Sequence, residues 1–192
     1  PVAAVMSHKI VAPNVYSYHI DHAALMAKAV RTLHDQGVKH YAAIKYFSTG
    51  LVPFHHELIR YFEMANYLVD RPTSPQMYLS WQNEMTQPQE LFKQWVSINP
   101  RPAAIICHVD LPLQQLQEQM ELHGIPVSQQ PEMICLADLS DLPERNISYF
   151  RIDIEGMAHD AVNALHQKMI GQTDAFASKS YFGQFIRRHP SH

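Results

Sequence analysis

The chain has 192 residues, 46% of them hydrophobic and 17% charged, with a formal net charge of -3. That length buries a sizeable core, as one domain or as two small lobes, and the composition is that of an ordinary globular protein. It excludes nucleic-acid binding by bulk positive charge, and no apolar run approaches the length of a secretory leader or a membrane span.

The elements follow in chain order. Val2 to Met6 is a short apolar run, followed by a polar connector, and Val15 to Ile20 alternates like a strand. Asp21 stands as the N-cap of a helix with Met26, Ala29, Val30 and Leu33 at i, i+3, i+4, i+7, and Gly37 ends it at C′. Tyr41 to Tyr46 is the next strand, then a loop with Ser48 to Gly50, then a helix over Phe54 to Leu68 that turns Leu58, Phe62 and Ala65 inward. Pro72 to Pro75 breaks it. Met77 to Trp81 is a strand, Gln87 to Val96 a helix with Leu91, Phe92 and Trp95 as its stripe, and Ala103 to Cys107 a buried strand.

Asp110 opens a helix that closes at Gly124, lined by Leu113, Leu116, Met120 and either Leu122 or His123. Met133 to Ala137 and Ile147 to Ile152 are strands around a polar loop. A last helix over Ile154 to Ile170 buries Met157, Ala161, Val162, Leu165 and Met169. Thr173 to Ser180 reads as loop, and Phe185–Ile186 as a short final strand. Strands alternating with helices in this way imply right-handed crossovers and a parallel sheet flanked by helices, an α/β fold.

Cys107 and Cys135 sit inside apolar strands. Two thiols without disulfide-framework spacing fit a reducing, cytoplasmic compartment. There are 13 histidines, with His19 and His22 three apart and His55 beside His56. With no HExxH and no Cys-x-x-Cys, they read as polar surface and loop residues, so no metal or other cofactor is expected. No G-x-S-x-G, P-loop or dinucleotide fingerprint supports an enzyme, and a hydrolase built on His55, His56 and Asp110 has little behind it.

Four segments, taken in order, resemble the effector-sensing domain of the lactose-repressor (LacI/GalR) family, whose fold is that of type I periplasmic binding proteins. They are Pro1 to Val5 with Tyr18-His-Ile-Asp21; Leu33 to Ile44 around Gly37; Pro102 to Asp110 followed by Gly124-Ile-Pro-Val127; and Tyr149 to Glu155 continuing to Leu165. The close, Phe185-Ile-Arg-Arg188, is similar as well. The resemblance implies that residues 1–14 end an amino-terminal lobe and that 15–146 form the carboxy-terminal effector-binding lobe. Residues 147–180 then supply a crossover strand and a helix of the first lobe, and 181–192 a return strand and tail. It also implies a longer protein, with a DNA-reading domain and most of the first lobe before Pro1. The apolar face of the last helix would need cover from a partner chain or a rearrangement.

In such folds ligands bind beyond the carboxyl ends of the strands. The family's ligand arginine falls at His56, with Arg60 one helical turn further on. Trp81 lies where a ring stacks on the ligand. The family's Asn-Asp pair becomes Val109–Asp110, so the asparagine is absent, while Asp110 remains as an N-cap and His108 adds a polar edge. Asp138 stands near the family's ligand-binding aspartate, with Asp141 as the competing register. The function implied is a sugar- or nucleobase-sensing, dimerising domain of a bacterial transcriptional regulator. It would be a homodimer that reaches DNA only through the reader domain. The second function is a periplasmic solute-binding protein.

Overall fold

The structure, a computed structural model, describes residues 2–6, 9, 12, 15–47, 52–82, 87–140, 146–171 and 177–188, and for residues 6, 46, 47 and 52–56 the backbone alone. Its elements are β1 (Val2–Met6), β2 (Val15–Ile20), α1 (His22–Asp35), β3 (Tyr41–Phe47), α2 (Val52–Tyr67), β4 (Tyr78–Gln82), α3 (Pro88–Ser97), β5 (Ala104–Cys107), α4 (Leu111–Leu122), β6 (Glu132–Cys135), β7 (Ile147–Arg151), α5 (Ile154–Met169), β8 (Lys179–Tyr181) and β9 (Gln184–Ile186).

The strands form two sheets. The larger has the order β4-β3-β5-β6-β7-β9 and the smaller β1-β2-β8. All pairings are parallel except β7 with β9. Both faces of the larger sheet are covered, as a parallel sheet requires, and side-chain alternation sorts each strand between two cores. Tyr41, Ala43, Ala104 and Ile106 face Leu25, Ala29, Leu33, Leu58 and Phe62 of α1 and α2. Ala42, Ile44, Ile105 and Cys107 face Leu91, Trp95, Leu113, Leu116 and Met120 of α3 and α4. A fully buried aliphatic or aromatic side chain contributes roughly 1.5–3 kcal/mol, so these two layers dominate stability.

Local signals set the helix ends. The Asp21 carboxylate accepts the Ala24 N–H at 2.9 Å. Gly37, at φ 72, donates its N–H to the His34 carbonyl at 2.8 Å, and Val38 donates to Leu33 at 3.0 Å. Cys107 and Cys135 are register neighbours and both are buried free thiols; burial pushes the Cys107 thiol up to about 12 and raises that of Cys135 as well. Among the described residues no helix is long and apolar enough to cross a membrane, and no group of three or more His, Cys, Asp or Glu side chains could hold a metal.

Several expectations change. The polar stretch before Tyr181 supplies strand β8, because Tyr18, His19 and Ile20 of β2 offer it a pairing edge. Strand β9 is antiparallel. Strand β8 runs toward the junction between the sheets, and only Phe182 and Gly183 separate it from β9, so the chain enters the larger sheet from its carboxyl end. Strand β2 belongs to the smaller sheet, not with the larger lobe that follows it. His19 and His22 are buried (each 9% exposed), not surface residues.

Helix α5 packs on β1 and β2 through Met157, Ala161 and Ala164, so the smaller sheet supplies part of its cover. Val162 and Met169, expected inside, are 64% and 84% exposed, because three strands cover only a narrow face of the helix.

Gly183 lies where the third connection crosses between the sheets. An added Cβ would stand 2.8 Å from Phe150 Cβ and 3.3 Å from Leu25 Cδ2. Gly183→Ala is expected to destabilise the protein by about 1–3 kcal/mol through this overpacking, read as a lowered urea midpoint with an unchanged slope.

Candidate functional site

Three connections pass between the sheets: β2 into α1 through Asp21, β7 into α5 through Ile152 and Asp153, and β8 into β9 through Phe182 and Gly183. They are too short to wander, so both sheets point strand ends at one junction. Asp21 donates its N–H to the Tyr181 carbonyl at 3.0 Å, which ties the first connection to the third. Asp153 caps α5 by accepting the Gly156 N–H at 2.8 Å. An added Cβ at Gly156 would lie 2.2 Å from an oxygen of that carboxylate, so a larger residue there would make the carboxylate shift.

On the larger sheet, the carboxyl ends of β3 and β5 and the near turns of α1 and α2 enclose a cavity of about 20 Å³, lined by Met26, Ala43, Ile44, Leu58, Ile59, Ile106, Cys107 and His108. That is room for about one water. Among the described residues the wall is apolar apart from the Cys107 thiol and the imidazole of His108. Met26 and Leu58 read in the sequence only as core positions. The signal for a lining role was their closeness to the helix starts, which lie at the strand ends.

The six candidate residues are not brought into one cluster. His108 and Asp110 share the tip after β5, and Asp138 lies on the adjacent tip after β6. Trp81 is on β4, three strand spacings from β6, or about 14 Å. Its ring is 3% exposed and packs in the core with Leu91, Phe92 and Trp95, so it presents no open face to the junction. Arg60 is exposed on α2. His56 lies one turn before it; its side chain falls outside the described residues, as does all of Asp141.

Asp110 departs from its expected capping role. It occupies the N-cap position, but its carboxylate makes no capping bond and accepts instead from the Gln114 side-chain amide. The reason is local. Pro112 has no N–H, and Asp110 is already helical at φ -78, ψ -37, whereas capping residues normally take an extended backbone. The carboxylate therefore faces the strand ends, where its charge helps hold the Cys107 and Cys135 thiols protonated.

Asp138 is occupied by backbone. Its Oδ2 accepts the Ile152 N–H at 2.7 Å and its Oδ1 accepts the Ser140 N–H at 2.8 Å. Partial burial works to raise this carboxyl. The N–H of Ile152, the side chain and N–H of Ser140, and the Arg151 charge outweigh it, so the net shift is downward. The residue fastens the second connection to the tip of β6.

The family of periplasmic binding protein-like domains matches residues 30–189. No curated protein matches the sequence. Solved structures share the fold at low identity. The Escherichia coli transcriptional repressor ascG superimposes with a TM-score of 0.74 at 17% identity, over 95% of this chain and 66% of that one. A LacI family transcription regulator from Clostridium acetobutylicum gives 0.77 at 16%, over 98% and 70%. A PurR family transcriptional regulator from Vibrio parahaemolyticus gives 0.76 at 16%, over 98% and 68%. The chain thus spans about two thirds of the length of these structures.

Asp138→Ala would strand the Ile152 N–H at the junction and is expected to cost about 1–3 kcal/mol in denaturant unfolding. A depressed folded carboxyl stabilises the protein above the unfolded aspartate range and loses that contribution as pH falls through the lowered value. Asp138→Asn should therefore flatten the acid limb of the stability profile below about pH 4.

Proposed function

Because the chain belongs to the family of periplasmic binding protein-like domains, matched over residues 30–189, we propose that it is the effector-sensing domain of a LacI-type transcriptional regulator. The observation that carries this reading is the junction: two mainly parallel sheets joined by three short connections, with the carboxyl ends of β2, β7 and β8 meeting there. The regulators that share its fold support the choice of function.

On this reading a sugar- or nucleobase-like effector binds between the lobes of a cytoplasmic homodimer, without turnover. DNA is reached through a reader domain outside this chain. His108 and Asp110 hold the effector's polar groups, and His56 and Arg60 approach from α2. Trp81 and Asp138 act indirectly, the first as a wall behind the strand tips and the second by holding the connection in place. An effector that prefers one lobe orientation shifts the population toward it, and the short connections are where that change is absorbed. The cavity at the tips of β3 and β5 is too small for a monosaccharide, so an effector of that size would sit in the crevice between the sheets and not in that cavity.

A thermal-shift screen of sugars and nucleobases tests the effector site, since a compound that binds only the folded state raises the melting temperature. At least one class should stabilise the chain, and His108→Ala should weaken that compound about tenfold, the effect of losing one good hydrogen bond. A screen with no stabilising compound, or an unchanged affinity in the variant, would remove this assignment. The family's name also favours a second reading, a solute-binding protein of an uptake system. Sequence-specific DNA binding by the full-length protein, altered by the same compound, decides for the regulator; ligand binding without any DNA binding decides for uptake.

A further inference from the structure

At the opposite end of the larger sheet, where β3, β4 and β5 begin, a cleft of about 160 Å³ opens beside Arg71. Its construction starts at the end of α2. Asp70 adopts the left-handed conformation, at φ 54, and donates its N–H to the Tyr67 carbonyl at 3.1 Å. Arg71 donates its own N–H to the Asn66 carbonyl at 2.9 Å. This reverse turn carries the Arg71 guanidinium over the ring of Tyr41, 4.3 Å from its centroid.

The platform beneath is rigid. The Tyr41 hydroxyl donates to Asn66 Oδ1 at 2.7 Å, and Asn66 Nδ2 donates to the Phe62 carbonyl at 2.8 Å. Tyr41 is 2% exposed and Asn66 fully buried.

A guanidinium has five N–H donors. Arg71 Nη1 donates to the Val38 carbonyl at 3.2 Å, and among the described residues no carboxylate pairs with this side chain. His40, Ser74 and Gln76 also line the cleft, together with Pro100 and Pro102. Prolines have fixed φ, so their part of the lining is preformed. Lys39 and Arg101, and Asp70 with the opposite sign, adjoin the lining residues in sequence. A part-buried, stacked cation with spare donors and no such carboxylate partner, in a cleft with hydroxyl and amide groups, is arranged to receive an anion.

We propose that this cleft is a binding site for a small oxyanion, a phosphate or carboxylate group, held by the Arg71 guanidinium. It lies a strand length, roughly 20 Å, from the junction, so it is separate from the effector site and does not depend on that reading.

Calorimetric titration of the chain with inorganic phosphate, and separately with acetate, at constant ionic strength tests it. Wild type should bind at least one of the two, and whichever binds more tightly identifies the oxyanion. Arg71→Met keeps the stem over Tyr41 but loses the charge and the fork, and should weaken binding about tenfold or more; Arg71→Lys should fall between. If Arg71→Met does not fold, His40→Ala, at an exposed position, should still weaken binding about threefold. Lys168→Ala, on α5 over the smaller sheet, should leave the titration unchanged. No binding of either anion by wild type, or equal binding by every folded variant at Arg71 and His40, overturns the proposal.

Discussion

The connections between the sheets govern this molecule. Each is only one or two residues long, and together they bring three chain segments side by side at a single junction. The two residues between β8 and β9 form no hairpin, because β8 pairs with β2 in one sheet and β9 with β7 in the other; the chain runs on across the junction and β9 enters the larger sheet antiparallel to β7. The same brevity leaves backbone N–H groups at the crossing points, and the protein satisfies them with dedicated acceptors: the Tyr181 carbonyl for Asp21 and the Asp138 carboxylate for Ile152. Gly183 allows the third segment to lie against Phe150 without a side chain between them.

Among the described residues, the polar groups near the strand tips are partly engaged by the protein itself. Asp138 is held by two backbone donors and Asp110 by Gln114, while Trp81 is packed into the core. His108 borders the cavity at the tips of β3 and β5.

The smaller sheet places a second constraint on the molecule. Three strands cover the inner face of α5 through Tyr18 and leave Ile154, Val162, Met169 and Ile170 exposed along the outer one. The apolar pattern alone did not distinguish these faces, since Val162 and Ala164 are both apolar, one and three positions after Ala161. Which of them is buried depends on the width of the sheet beneath, a property of strands far away in sequence.

What the sequence determined by itself was the alternation of strands and helices, the caps at Asp21 and Gly37, and the inward stripes of α1 to α4. Each of these rests on side-chain spacing or on backbone preferences that act within a few residues. Only the tertiary structure decided the strand at Lys179–Tyr181, the direction of β9, the engagement of Asp138 with Ile152, the burial of Trp81 and the stacking of Arg71 on Tyr41. These join positions that are distant along the chain, and no local pattern records which partner a polar group or an edge will meet once the two sheets are brought together.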